Sequence, residues 1–166
     1  MRLQAEDPQA PTLALVAAVA LHEAVSPHAP AALIKWPNDL LVGGAKLAGI
    51  LLERQSEAVI IGFGVNLARR PENLDRPAAS LEGRVAPDFL LERLAAAFAA
   101  WLGRWRGEGL APVRAAWLAA AHPIGTALAS GDVTGIFDGL DETGALRLRL
   151  ADGGLRVIHA GDIFLL

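Results

Sequence analysis

Between Lys35 and Asn66 three short stretches carry residue types that could do chemistry. The first is Lys35-Trp36-Pro37-Asn38-Asp39. A rigid proline followed by Asn and Asp can present a carboxamide and a carboxylate at a strand-to-hairpin corner. A carboxylate there could hold Mg²⁺, which binds through few protein oxygens and mostly through substrate phosphates. The competing interpretation is a plain Pro-Asn-Asp turn, and the local pattern alone favours it. The second is Lys46, the only cation of an otherwise apolar, small-residue hairpin, Gly44 to Leu51. Such a lysine must snorkel or be paired. A phosphate is one partner; an ordinary solvent-facing lysine at a strand start is the simpler case. Gly43-Gly44-Ala45-Lys46 lacks the spacing and the following Ser or Thr of a P-loop. The third is Gly62-Phe63-Gly64-Val65-Asn66, where glycines permit close backbone approach to a ligand. No third glycine or helix follows to make a dinucleotide fingerprint, and a glycine bulge in a strand is the alternative.

Elements must position these stretches. Pro11 to Val25 reads as a helix apolar nearly all round, hence buried. Ala31 to Lys35 reads as a short strand, and Pro37 cannot continue a ladder. Leu40 to Val42 and Lys46 to Leu52 flank Gly43-Gly44 as a hairpin. Ala58 to Ile61 reads as a buried strand running into Gly62. Residues 68–86 read as a loop. A long helix is predicted over Pro87 to Arg106 from Leu90, Leu94, Ala97, Trp101 and Trp105 at helical spacing, with Asp88 and Arg106 suited to its dipole. A shorter helix spans Ala111 to Ala121. After His122-Pro123-Ile124-Gly125 the texture changes to short strands and tight turns: Thr126 to Ala129, Val133 to Leu140, Ala145 to Leu150, Leu155 to His159 and Ile163 to Leu166. That is the pattern of a small closed or half-closed β-barrel of SH3-like size.

Composition narrows the function classes. Hydrophobic residues make up 53% of 166 positions, enough for a packed core. A net charge of −3 lacks the footprint of a nucleic-acid binder. With no cysteine, disulfides, thiolate metal sites and a cysteine nucleophile are excluded. The apolar run Leu13 to Leu21 stops at His22 and Glu23, short of the roughly 20 residues a membrane span needs, so a soluble cytoplasmic protein is expected. His22, His28, His122 and His159 have no metal-ligand spacing. There is no Gly-x-Ser-x-Gly elbow. Of Trp36, Trp101, Trp105 and Trp117, three fall on helix faces and read as core.

In order and spacing, Lys35 to Asp39, then Lys46-Leu47-Ala48-Gly49-Ile50-Leu51 with Glu53, then Ile61 to Leu67 closely resemble the signature of biotin protein ligases. Ala160-Gly161-Asp162-Ile163 resembles that family's closing strand. The resemblance implies an α+β fold: residues 1–122 as part of a class II aminoacyl-tRNA-synthetase-like (biotin/lipoate ligase) catalytic domain with a mixed sheet, and residues 123–166 as an SH3-like barrel. It implies that biotin and ATP form biotinyl-5′-adenylate, and that biotin then passes to a lysine on a carboxylase's biotin carrier domain. Lys46 matches the catalytic lysine. Asn38 and Asp39 match the nucleotide and metal side, Asp39 toward Mg²⁺. Gly49, Gly62 and Gly64 match backbone lining the biotin pocket, and Asn66 a polar residue near the adenylate; Trp36 and Ile50 complete the expected ligand-binding set. The family also carries a Gly-Arg-Gly-Arg-x-Gly loop upstream of the first helix, absent from these residues. The expectation is therefore a fragment, a mis-assigned start or a degenerate relative, weak at biotin binding by itself, with no repressor role. A homodimer is left open. Lipoate attachment and a non-catalytic carrier- or nucleotide-binding module are the alternatives.

Overall fold

A computed structural model describes residues 1–72 and 76–166. Helix α1, Leu13–Val25, follows a short 3-10 turn at Ala10–Thr12 that contains Pro11. The sequence shows why it sits at the centre. Leu, Val and Ala surround it on every side, so every face can be covered, and Leu13, Val16, Ala17, Ala18, Ala20 and Leu21 are fully buried. Helices α2, Pro87–Glu108, and α3, Leu110–Ala120, pack on it. Polar contacts stitch the helices as well: the buried indole N–H of Trp105 donates to Thr12 Oγ1 at 2.8 Å, and that of Trp101 to Glu23 Oε2 at 2.7 Å. Helix α2 starts with Pro87 and Asp88 and ends at Gly109, whose φ of 78° turns the chain into α3.

Strands β1, Ala32–Lys35, β2, Asp39–Val42, β3, Ala45–Gln55, and β4, Ala58–Val65, form one sheet in sequence order. All its ladders are antiparallel. Parallel pairing among the described residues is limited to the single bridges Ile34 to Ala121 and Lys46 to Ala78. Strand β4 extends four residues past Ile61, because Gly62 to Val65 pair in unbroken register with Leu51 to Ala48. The inner face, with Leu47, Ile50 and Val59, is buried, and Phe63 meets Phe98 of α2 edge-on at 6.3 Å. The expected loop at 68–86 forms no helix or strand among its described residues; residues 73–75 lie outside them.

Strands β5, Ala127–Ser130, β6, Val133–Leu140, β7, Leu146–Arg149, β8, Leu155–Ile158, and β9, Phe164–Leu165, make a second antiparallel sheet ordered β8-β7-β6-β5-β9. It docks on the corner that holds the first motif. Trp36 Nε1 donates to Gly144 O at 3.1 Å, Lys35 Nζ to Ile163 O at 2.8 Å and Arg114 Nε to Leu140 O at 3.0 Å. Trp117 meets Phe137 at 6.4 Å. Gly144 has a φ of +85°, and a Cβ built there would lie 2.6 Å from Leu15 Cδ1. Gly144→Ala should therefore cost about 2 kcal/mol, from backbone strain plus overpacking; urea unfolding monitored by tryptophan fluorescence checks it.

Within the second sheet Asp138 sits between Arg149 and Arg147, each at 2.7 Å. The Arg149 hydrogen bond and the two guanidinium charges hold its carboxyl below the usual range, against an opposing push from burial. A carboxylate depressed in the folded state contributes stability that is complete above its unfolded pKa of about 3.9 and drains away as pH falls through the lower folded value. The sheet should lose stability below about pH 4, and Asp138→Asn should flatten that dependence in acid melts.

Candidate active site

The site is built where β2, β3 and β4 meet. Asp39 opens β2 and lies directly across from Gly49. Between Leu40 and Leu41 the β2–β3 register shifts: Leu40 faces Ala48, but Leu41 faces Lys46, so Leu47 is an extra residue. Strict alternation would put Lys46 on the face opposite Gly49. The bulge reverses that phase, and Leu47 and Ala48 are consecutive buried residues as a result. Lys46 consequently shares a face with Asp39 and Gly49, and Lys46 Nζ lies 2.6 Å from Asp39 Oδ1. The pair folds over Gly49, where a Cβ would come within 3.1 Å of Lys46 Nζ and 3.3 Å of Asp39 Oδ1. Asp39 Oδ2 faces Lys35 Nζ at 3.6 Å. Thus Lys46, isolated in sequence, is paired in space.

Beside this pair the glycines leave part of the sheet face without side chains. Gly49 lies opposite Gly64 and Leu51 opposite Gly62; Leu51 and Ile60 on the same face are exposed. A Cβ at Gly64 would meet nothing closer than Gly49 O at 3.8 Å, so the protein itself leaves that space open. A cleft of about 650 Å³ opens over Lys46, Gly49, Gly64, Asn66, Arg76 and Pro77. A larger concavity of about 950 Å³ elsewhere is lined by Arg69, Arg70, Glu72 and Arg84 and touches none of the motif residues.

Asn66 positions the cleft's far wall. Its Nδ2 donates to Ala79 O at 2.9 Å and to Lys46 O at 3.3 Å. Lys46 N donates to Pro77 O, and Ala79 N to Lys46 O. Asn66 therefore staples the loop after residue 75 to the bulged strand.

Trp36, Asn38, Ile50 and Gly62, expected in the ligand-binding set, lie outside the cleft lining. Trp36 is 5% exposed and lies in the joint with the second sheet, where Gly144 accepts its N–H. Ile50 is 3% exposed, its side chain in the core on the face opposite Gly49. Asn38 Nδ2 donates to Ile50 O at 2.7 Å, while Ile50 N donates to Asn38 O, so the carboxamide ties the corner to β3. Gly62 lies on the open floor but outside the cleft lining. Asp39, expected on the metal side, lies between two cations. Both its oxygens face ammonium groups and its side chain is 9% exposed. Mg²⁺ selects oxygen-rich, anionic surroundings. Two residues carry more than their sequence suggested: Lys35, part of a motif but given no task, and Arg76, a second cation in the cleft wall. His122, near Lys35, has a ring whose pKa is lowered by burial and then by the Lys35 charge.

Comparison with known proteins now bears on this geometry. Residues 4–66 match the biotin/lipoate A/B protein ligase family, and residues 126–166 the biotin protein ligase C terminal domain. A biotin–[acetyl-CoA-carboxylase] ligase of Paracoccus denitrificans is 42% identical over 92% of this chain and 72% of its own length. The chain belongs to the biotin protein ligase family. A Mycobacterium tuberculosis ligase of the same name is 37% identical, over 91% of this chain and 61% of that protein. In fold, a biotin protein ligase from Aquifex aeolicus, in complex with biotin and ATP, superposes with a TM-score of 0.83 at 23% identity, covering 97% of this chain and 73% of that one. The α+β arrangement with a C-terminal β domain is thus a family trait. No helix among the described residues is long and apolar enough to cross a membrane.

Proposed function

We propose that this chain joins biotin to ATP as biotinyl-5′-adenylate and passes the biotin to a lysine of a carboxylase's biotin carboxyl carrier domain, in the cytoplasm. The observation that carries this reading is Lys46, swung by a β-bulge onto the open face beside the Gly49–Gly64 floor. Adenylation must bring two anions together, a carboxylate and an α-phosphate, and a fixed cation at their meeting point lowers that barrier. Lys46 can serve there because its side chain is 47% exposed while Asp39 anchors its resting position. Gly64 leaves room for a bicyclic ligand against backbone, next to the Lys46–Asp39 pair that covers Gly49. Arg76, across the cleft, suits the departing phosphates. Mg²⁺ enters this reading with the triphosphate, held mainly by phosphate oxygens and not by Asp39. The same reading takes residues 1–122 as part of a class II synthetase-like catalytic domain and 123–166 as an SH3-like barrel.

The test is pyrophosphate release from ATP in the presence of biotin, of lipoate, or of neither, followed by transfer to a purified carrier domain. Biotin-dependent release and a biotinylated carrier lysine are expected. Release driven equally by lipoate, or none with either acid, would defeat the proposal.

A further inference from the structure

We propose that Lys35 is a positioning residue: it is the standing counter-ion of Asp39, and it frees Lys46 to leave Asp39 for an incoming phosphate. This role rests on the anion-binding part assigned to Lys46 above. Three charges lie in a row. Lys46 Nζ is 2.6 Å from Asp39 Oδ1, and Asp39 Oδ2 is 3.6 Å from Lys35 Nζ. The row ends on Ile163 O of the C-terminal sheet, 2.8 Å beyond.

The two lysines are unequal. The Lys46 side chain is 47% exposed and opens on the cleft; that of Lys35 is 10% exposed. One cation can swing and the other cannot, because Lys35 is fixed at its tip by Ile163 and walled by Ile34, Trp36 and His122. When Lys46 turns toward a phosphate, Asp39 keeps its burial but loses its nearest partner. A buried carboxylate with no partner is costly. Lys35 supplies the second partner in advance, so the exchange goes from two cations on Asp39 to one, never to none. The C-terminal sheet takes part by holding Lys35 in place.

Calorimetry with inorganic pyrophosphate on the 166-residue chain tests this without turnover. Lys46→Gln identifies the binding event as the one at the cleft by abolishing it. Lys35→Met should weaken binding about tenfold, since Lys46 becomes the sole partner of Asp39, and Lys35→Arg should recover most of the loss. The decisive variant is Lys35→Met with Asp39→Asn. A neutral carboxamide at position 39 needs no counter-ion, so the double variant should bind as Asp39→Asn alone does, without the tenfold loss. If Lys35→Met proves too unstable to measure, Asp39→Asn with and without Lys35→Met gives the same answer: the two should bind alike. Unchanged binding by Lys35→Met, or a double variant as weak as Lys35→Met, would show that Lys35 is only a brace for the fold. Absence of pyrophosphate binding by the parent chain would overturn the role as well. Should this series hold while biotin fails to drive pyrophosphate release, the ligase reading falls and Lys35 keeps its role. Brisk turnover that is indifferent to Lys35→Met removes the role alone.

Discussion

Lys46→Gln should cut biotin- and ATP-dependent pyrophosphate release by roughly 100- to 1000-fold, the usual loss when one preorganised electrostatic stabiliser is removed. Glutamine keeps most of the length and can still hydrogen-bond, so what disappears is the charge. The fold should tolerate it. Lys46 is half exposed, and Asp39 retains Lys35 as a partner; a stability change of about 1 kcal/mol or less is expected. Single-turnover pyrophosphate release at saturating biotin and ATP, with melting curves on the same samples, separates the two effects. A variant releasing pyrophosphate at near-normal rate would show that the bulge presents Lys46 to solvent only.

Gly64→Val should weaken biotin binding on the order of 100-fold while sparing ATP, because a branched side chain would fill the space where backbone meets the ligand. The structure makes this a clean probe. A Cβ at position 64 finds only Gly49 O, at 3.8 Å, so the side chain projects into the open cleft without pressing on the protein. Valine also suits a strand. Titrating biotin and a non-hydrolysable ATP analogue separately gives the measurement. A parallel loss of both ligands would mean that the sheet itself has been disturbed. Gly49 would be a poorer choice, since a Cβ there displaces the Lys46–Asp39 pair.

The helices are legible in the sequence because their signals are local. The all-round apolar run places α1 in the centre, and Pro87, Asp88 and the 3.6-residue rhythm of Leu90, Leu94 and Ala97 place α2 almost to the residue. The three motifs, too, converge on one sheet. What sequence cannot show is direction. The Lys46–Asp39 pair depends on a register shift between two strands, and a bulge belongs to the pairing, not to either strand alone. Leu47-Ala48, two apolar residues where alternation asks for one, is its only trace. Trp36 and Ile50 group with the ligand in sequence because they neighbour residues that face it. Ile50 is in a strand, where the neighbour is the residue that faces away; Trp36 is in the turn after β1, its N–H taken by Gly144. Asp39 reads as a metal ligand in sequence because its two cations are four and seven positions distant, and one of them arrives only through the bulge.

The joint between the two sheets also has a temporal side. Lys35 and Trp36 find their acceptors 128 and 108 residues later in the chain. At a synthesis rate of about 5–20 residues per second, their donors wait on the order of 10 s for the carbonyls of Ile163 and Gly144 to be made. Over that interval α1 can coil and the β1–β4 meander can pair, since their contacts are local. The corner bearing Lys35 cannot settle. Lys35 is therefore the last of the three charges to acquire its full set of neighbours, since Ile163 O becomes available to it only after the rest of the row has been made.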